Sequence, residues 1–345
     1  MKEKIDSLQF VRAFAAIWVL VTHVFQNLDI KPLGDYYLSG QYGVDVFFIL
    51  SGFIIYLTTR ERTEWKHFFV KRVFRIFPAY LFCLACYWCY FIVTKSEHAV
   101  YDLWGGVKNM LLFPCSDRIL PNSLMVGQAW STCYEMYFYI IMTAVLIVGL
   151  KKNRVLPILA VLFVVAWLSR KWLMTFGFGR YLFSLLGSIH IYKFCIGIVV
   201  AIVYDKLNKM MEKVNVKKSV KWAVFIVLQI FVLAMFFMSY RHYLAPLASI
   251  IMFVSWLLMN RDLCVFSERG IYKVLKWFGD ISYSLYLVHL LVIYIFVNQC
   301  HVGQWWLLLP LTLGVAIGFS SLSYIYIEKP GMNLAKRIIN KNNIA

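Results

Sequence analysis

The sequence predicts an all-α protein, a polytopic bundle of about ten transmembrane helices. Hydrophobic residues make up 61% of the 345 residues and charged residues 15%, a composition far from that of soluble globular proteins. Apolar runs of about 17 to 23 residues, long enough to cross the hydrocarbon of a bilayer, recur along the chain. Because no soluble segment separates them, we expect one transmembrane domain over residues 1–345 with no appended soluble domain.

The apolar runs are separated by polar segments in which Lys and Arg are frequent. In chain order, the predicted helices are Leu8–Gln26, Gly43–Thr59, Pro78–Thr94, Trp130–Gly149, Val155–Leu168, Tyr181–Tyr204, Trp222–Tyr240, Tyr243–Asn260, Trp277–Val297 and Trp305–Ile327. Between the second and third lies the amphipathic segment WKHFFVKRVFRIFPAY. We expect Pro78 to terminate this segment, since proline lacks the N–H of a helix interior.

Positive charge is unevenly distributed among the predicted loops. The N-terminal tail, the segments after the second, fourth, sixth and eighth helices, and the C-terminal tail hold most of the 35 Lys and Arg residues. Cytoplasmic loops have this excess in membrane proteins, so both termini are predicted to be cytoplasmic. The formal charge of +18 then reflects loops beside anionic lipid, and no nucleic acid partner is expected.

The first predicted helix contains Arg12 and His23, eleven residues apart on one face. They are separated by about 16 Å along the helix axis, with Arg12 near the predicted cytoplasmic face and His23 near the outer face. Ionisable groups inside a bilayer are costly, so the two residues indicate a functional site. The alternative for His23 is a packed residue that is hydrogen-bonded to a backbone carbonyl.

Two carboxylates are predicted near the depth of His23. Asp45 lies at the start of the second helix, in GVDVFFILSGF, and Glu135 follows Trp130 and Ser131 at the start of the fourth. A carboxylate beside an imidazole fixes its tautomer and stabilises the imidazolium, as a general base requires. We therefore predict a catalytic group of His23, Asp45 and Glu135. The alternative for Asp45 is a helix-start residue favoured by the helix dipole.

Arginines mark the predicted cytoplasmic side. Arg72 and Arg75 share a helix face at positions i and i+3, and their planar guanidinium groups suit phosphates. Together with Arg12 they form a candidate binding port for an anionic ligand. The alternative is that Arg72 and Arg75 extend to lipid phosphates, as basic residues flanking membrane helices commonly do.

Two later helices contain further polar groups. Ser282, Tyr286 and His289 fall on one stripe of ISYSLYLVHLL, which suits either substrate binding or helix packing. Lys193, in SLLGSIHIYKFCIG, needs a carboxylate, a ligand or a water-filled cavity unless its side chain extends to the outer interface. We favour the outer interface for Lys193.

Six pieces of the sequence together resemble the acyltransferase-3 family of integral membrane acyltransferases. They are LQFVRAFAAIWVLVTH, GVDVFFILSGF, KRVFRIFPAY, WSTCYE, ISYSLYLVH and EKP. The pieces occur in the family's order and extend over nearly the whole chain. The family includes O-acetylases of O-antigen, exopolysaccharide and peptidoglycan.

The resemblance implies transfer of an acyl group, acetyl first of all, from cytoplasmic acyl-CoA to a hydroxyl of a lipid-linked or exported glycan. It also implies a bacterial cytoplasmic membrane location, a catalytic His23, an essential Arg12 and donor binding by Arg72 and Arg75. We assign the acceptor contacts to Trp130, Ser131, Tyr286 and His289. No metal is expected, because the cysteines show no ligand spacing with histidines. Self-association is left open.

The rival interpretation is a proton-coupled transporter or flippase of a glycan or lipid precursor. Buried His, Glu and Lys side chains would then act as a proton relay. Acyl-CoA-dependent ester formation distinguishes the two, because a transporter shows none.

Overall fold

In the computed structural model, the residues described are 5–28, 40–59, 64–96, 100–113, 124–147, 164, 167–169, 188–213, 217–238, 245–264 and 269–342. Within these ranges the regular structure is helical and contains no strand. Seven of the helices are long and apolar enough to cross a membrane, and two shorter apolar helices accompany them. The prediction of an all-α transmembrane protein is confirmed. The cytoplasmic location of the termini stays a prediction.

The helices are numbered here in chain order. They are α1 Ser7–Asn27, α2 Gly40–Thr59, α3 Trp65–Val93, α4 Leu103–Met110, α5 Trp130–Ile147, α6 Ile189–Lys213, α7 Lys218–Met238, α8 Ala245–Leu258, α9 Asn260–Cys264, α10 Gly270–Tyr294, α11 Trp305–Ser323 and α12 Lys329–Asn342. Two stretches of wider π-helix, Ile295–Gln299 and Tyr324–Glu328, extend α10 and join α11 to α12.

Each predicted run corresponds to a helix, except that the fifth, Val155–Leu168, lies almost wholly outside the described residues. The prediction that Pro78 terminates its segment is wrong, because α3 continues through Pro78 to Val93. Pro78 cannot donate a hydrogen bond to the carbonyl of Phe74 one turn earlier. Gly331 packs on the Pro78 ring and against that carbonyl. The close approach of α12 therefore supports α3 where its own hydrogen bonding is interrupted.

The helices form two compact units, each with its own internal packing. The first comprises Met1–Tyr56 with Lys193–Ser320, and the second comprises Leu57–Tyr192 with Ser321–Ala345. The expectation of a single transmembrane domain stays a prediction.

In the first unit, α1 lies along α10, and the two helices run in the same direction. Near their starts, Asp6 accepts hydrogen bonds from the hydroxyl of Tyr272, at 2.7 Å, and from Lys276, at 3.3 Å. One turn on, Gly279 packs so closely on the backbone of Gln9 that a side chain at this position would clash. Because α1 and α10 correspond to the first and ninth predicted membrane helices, the predicted alternation of directions across the membrane requires them to run in the same direction.

Glycines also bring α2 close to its neighbours in the first unit. Gly43 packs on Ala15 and Val19 of α1, with the two helices antiparallel. Further along α2, Gly52 packs on the backbone of α6, and Gly197 of α6 packs on the carbonyl of Ile49. Small residues at these crossings let backbones approach closely, as is typical of membrane helix interfaces.

In the second unit, α3 and α5 are antiparallel neighbours. Tyr87 of α3 and Gln128, just before α5, hydrogen-bond through their side chains at 3.0 Å. Toward the other end of α3, the Phe68 ring packs edge-on against Tyr139, with the ring centroids 6.1 Å apart. The helix α12 packs on the same half of α3 through Gly331.

Much of the apolar surface is exposed rather than buried. The exposed apolar side chains of α7 include Val224, Ile226, Val227, Ile230 and Phe231. A helix this apolar on its outer surface is stable only where that surface meets lipid or another protein. The pattern agrees with a membrane-embedded bundle.

We predict that Gly197→Ala destabilises the protein. The added Cβ would overlap the carbonyl group of Ile49, so one helix must shift. The typical cost of such overpacking is about 1–3 kcal/mol. Thermal unfolding of the purified protein in detergent measures the effect. Gly314→Ala in α11 is the matched control, since its Cβ has open space around it. Equal midpoints for the two variants would contradict the prediction.

Candidate active site

His23 and His289 face each other in the first unit. Nδ1 of His23 lies 2.8 Å from Nε2 of His289, and the ring centroids are 5.0 Å apart. His289 is fully buried and His23 is partly exposed. The parallel packing of α1 on α10 places both residues at the same level. We call the two residues the histidine pair.

The backbone around His289 determines the tautomers of the histidine pair. Nδ1 of His289 lies 3.1 Å from the carbonyl oxygen of Leu285, one turn earlier in α10. A carbonyl oxygen only accepts, so Nδ1 of His289 has the proton, and Nε2 of the neutral ring is an acceptor. Nδ1 of His23 therefore donates to it, which leaves a lone pair on Nε2 of His23. The side-chain contact of His23 with another side chain is through Nδ1, among the described residues.

The predicted stripe on α10 lies partly beside the histidine pair. The Tyr286 ring centroid is 5.9 Å from that of His289 and 6.0 Å from that of Phe47 on α2. Ser282 is buried and donates to the carbonyl of Gly279 at 2.8 Å. Tyr286 and His289 thus belong to one aromatic cluster, whereas Ser282 makes a local helix contact.

Asp45 and Lys193 form a buried ion pair in the first unit. Asp45 is 1% exposed and Lys193 is 5% exposed. The interpretation that Lys193 reaches the outer interface is wrong, because the carboxylate of α2 gives its ammonium a partner inside the bundle. Of the interpretations of Lys193, the one that required a carboxylate matches the structure.

The contacts of α2 place Asp45 deeper along α1 than His23. Gly40 packs on Thr22, and Gly43 packs on Ala15 and Val19, so Asp45 lies more than a turn below the histidine pair. The carboxylate that we predicted beside His23 is bound to Lys193, and the ring that contacts Nδ1 of His23 belongs to His289. The sequence pointed to both histidines but not to their direct contact.

The second unit contains both predicted donor arginines of α3. Nη2 of Arg72 donates to the hydroxyl of Thr58 at 3.1 Å. The Arg72 guanidinium lies 5.2 Å from the ring centroids of Phe68 and Tyr139, within cation–π range. None of its contacts among the described residues is with a carboxylate. The positive charge of Arg72 is thus held in place by neutral groups.

Arg75 differs from Arg72, because it forms an ion pair with Glu328. Glu328 is fully buried at the end of the π-helical stretch that joins α11 to α12. Nη1 of Arg75 also lies 3.8 Å from the sulfur of Met332. In the sequence, Glu328 was noted only as the first residue of the motif EKP, and its pairing with Arg75 was not predicted.

Glu135 accepts a hydrogen bond from Tyr139, one turn later in α5. The ring of Tyr139 also packs against the guanidinium of Arg72. Tyr139 therefore contacts both the carboxylate of Glu135 and Arg72. Glu135 belongs to the second unit and the histidine pair to the first. Its association with His23 stays a prediction.

Trp130 and Ser131 lie at the start of α5. The Trp130 ring centroid is 5.1 Å from that of His190, and the Tyr134 ring centroid is 5.0 Å from that of His190. Ser131 donates to the carbonyl of Gln128 at 3.3 Å. Sequence reasoning missed Tyr134 and the contact of His190 with Trp130, since contacts between helices leave no trace in spacing along one helix.

Arg12 lies on α1 toward the end opposite His23 and is partly exposed. Its position on the helix agrees with the predicted separation from His23. Across the described parts of the chain, no three His, Cys, Asp or Glu side chains come together in a way that could hold a metal ion.

The family model of the acyltransferase-3 group, described as an acyltransferase domain, matches residues 5–325. The chain belongs to the acyltransferase-3 family. Membership and the seven apolar helices together make it a multi-pass membrane protein of the acyltransferase class. No solved structure is significantly similar to this family member.

Relatives of this acyltransferase-3 protein span different lengths. It is 23% identical to nodulation protein 10 of Rhizobium leguminosarum bv. viciae, over 97% of this chain and 95% of the relative. It is 25% identical to the peptidoglycan O-acetyltransferase OatA of Listeria monocytogenes, over 95% of this chain but 56% of the relative. A further match is the O-acetyltransferase OatA of Staphylococcus aureus, 25% identical over 48% of this chain and 28% of the relative. The chain thus spans about half of the Listeria protein.

We predict that Glu328→Ala strongly destabilises the protein. Removing the carboxylate leaves the Arg75 guanidinium without its buried counter-charge, and breaking a buried pair typically costs about 3–5 kcal/mol. The thermal midpoint in detergent measures the loss, and Arg75→Met with Glu328→Met should recover much of it. Glu64→Ala is the control, because Glu64 is 59% exposed in its pair with His67. A midpoint for Glu328→Ala as high as that of the control would contradict the prediction.

Proposed function

We propose that this protein transfers an acyl group, in the first instance acetyl, from acyl-CoA on the cytoplasmic side to a hydroxyl of a lipid-linked or exported glycan. The observation that carries the proposal is the histidine pair, which leaves Nε2 of His23 as an unprotonated base. Relatives named as O-acetyltransferases support acetyl as the group and a hydroxyl as the acceptor. We place the protein in a bacterial cytoplasmic membrane with both termini inside.

In the proposed reaction, Nε2 of His23 takes the proton of the acceptor hydroxyl as its oxygen attacks the thioester carbonyl. A C–O bond forms, the C–S bond breaks, and the thiolate of coenzyme A leaves and takes the proton from the imidazolium. His289 accepts from Nδ1 of His23 throughout, so the ring keeps its orientation while its charge changes. Positioned general base catalysis of this kind contributes about 10²–10⁴-fold to a rate.

The donor end of the proposed site rests on arginines. Arg72, Arg75 and Arg12 are proposed to bind the phosphates of acyl-CoA, which match the fork of a guanidinium. Arg72 is the principal candidate, because its charge is held by a hydroxyl and two aromatic rings. Arg75 shares its charge with Glu328 and is expected to contribute less.

The acceptor end is proposed to use aromatic side chains near polar groups. Tyr286 lies next to the histidine pair, and Trp130 with Ser131 begins α5. Trp and Tyr rings offer an apolar face for a sugar ring together with a polar tip. We retain Glu135 as a proposed catalytic carboxylate. Because Glu135 accepts a hydrogen bond from Tyr139, which packs on Arg72, we expect it to act near the donor.

We predict that the two histidines differ in their tolerance of substitution. His23→Gln removes the base, so acyl transfer per mole of protein should fall by at least about 10²-fold. His289→Leu removes only the acceptor for Nδ1 and should lower the rate about tenfold, the effect of one hydrogen bond. His289→Gln places an amide oxygen near the lost Nε2 and should be faster than His289→Leu. Ester formed from labelled acetyl-CoA in membranes is the readout.

The control for both histidines is His301→Asn, since His301 is exposed beyond α10 and its φ of 52° suits asparagine. This variant should keep the wild-type rate. Equal rates for His23→Gln and the wild type, at equal protein amount, would sink the base assignment. Equal rates for His289→Leu and His289→Gln would count against the tautomer assignment.

We also predict that Arg72→Ala weakens acyl-CoA binding with little change in stability. Loss of one phosphate contact of this kind should raise the donor KM about tenfold, whereas kcat changes less. Lys108→Ala is the control, because Lys108 lies on α4, between the third and fourth predicted membrane helices, where it packs over the ring of Trp104. An unchanged donor KM for Arg72→Ala would contradict the donor port.

The transporter interpretation is tested by the same assay. A proton-coupled transporter or flippase would form no ester from acyl-CoA in any variant. Wild-type membranes that produce no ester with any glycan acceptor from the parent cell would therefore overturn the proposed function.

A further inference from the structure

The buried ion pair of Asp45 and Lys193 has no part in the proposed reaction. Both side chains are almost completely buried in the first unit. Either charge alone inside a membrane bundle is strongly unfavourable, so each of the two is tolerated only because the other is present.

The ion pair lies one helical turn from the tightest glycine crossing among the described residues of the first unit. Asp45 meets Lys193, and four residues later on both helices, Ile49 meets Gly197. The two contacts are successive turns of one interface between α2 and α6. A slip of α2 along α6 by one turn would break the ion pair and press Gly197 against a different part of α2. The ion pair and the glycine crossing therefore fix the same register.

The helix α2 in turn supports the histidine pair. On α2, Gly40 packs on Thr22 and Gly43 packs on Val19. Thr22 and Val19 belong to the turn of α1 that precedes His23. The Phe47 ring of α2 contacts Tyr286, which contacts His289. A change in the register of α2 would therefore shift contacts on both helices that contribute the histidine pair.

We propose that Lys193 is a positioning residue: it neutralises and holds Asp45, and thereby fixes α2 in the register that supports the histidine pair. The inference rests on the proposed function for its effect on rate, but not for its effect on register. In this scheme Asp45 acts through α2 and exchanges no proton with His23.

The test compares Asp45→Asn, Lys193→Met and the double variant Asp45→Asn with Lys193→Met. Each single variant leaves one buried charge without its partner, so kcat per mole of folded protein should fall at least about tenfold with the donor KM little changed. The double variant removes both charges and should recover to within about threefold of the wild type. A double variant as slow as Asp45→Asn would overturn the proposal. If the Asp45 carboxylate took part in the reaction itself, removing Lys193 as well would not restore the rate.

A second readout reports register without acyl transfer. An ideal Cβ at Gly40 lies 3.5 Å from Cβ of Thr22, a separation at which a disulfide forms. The probe is the Thr22→Cys and Gly40→Cys pair, with a protease site inserted between residues 29 and 39 so that only a disulfide holds the fragments together. Crosslinking of the cysteine pair should be high in the otherwise unchanged protein and several-fold lower when Lys193→Met is added. It should be largely restored when Asp45→Asn and Lys193→Met are both added.

The two readouts separate the failure of this inference from the failure of the proposed function. Wild-type protein that forms no ester defeats the proposed function, while the crosslinking still reports on the register. Crosslinking that is equal in the wild type and Lys193→Met, after correction for the Thr22→Cys single variant, would overturn the positioning role.

Discussion

The hydrogen bond between Nδ1 of His23 and Nε2 of His289 is the contact on which the account of this protein depends. It exists because α1 and α10 run side by side in the same direction. Gly279 allows the close approach near their starts, and the carbonyl of Leu285 fixes the proton on His289. A membrane helix thereby presents a neutral imidazole with a lone pair on Nε2, and none of the described carboxylates contacts it.

Charges inside the bundle fall into two groups. Asp45 with Lys193 and Arg75 with Glu328 are buried ion pairs, which hold helices in register at the places where they cross. Arg72 is held by a hydroxyl and two rings, so its charge is not cancelled by a carboxylate in the described structure. We therefore propose that an anionic ligand gains more from Arg72 than from Arg75. This division separates residues that shape the bundle from a residue suited to binding phosphate.

Most of the fold could be predicted from the sequence, because run length and hydropathy determine which segments cross a bilayer. The spacing of Arg12 and His23 on one helix was equally visible. Contacts between helices were not, since spacing within one helix does not say which face meets which neighbour. That is why His289 was recognised as a polar residue but not as the partner of His23, and why Lys193 was assigned to the interface. The passage of α3 through Pro78 likewise depends on Gly331, more than 250 residues away in the sequence.

The tautomer of His23 is the property that tests this account most directly. The measurement is ¹⁵N NMR of histidine side chains in the purified protein, with His23 assigned by its loss in the His23→Gln variant. We predict that His23 is protonated on Nδ1 and unprotonated on Nε2, with a coupling across the hydrogen bond to Nε2 of His289. A proton on Nε2 of His23 at neutral pH, with no such coupling, would contradict it.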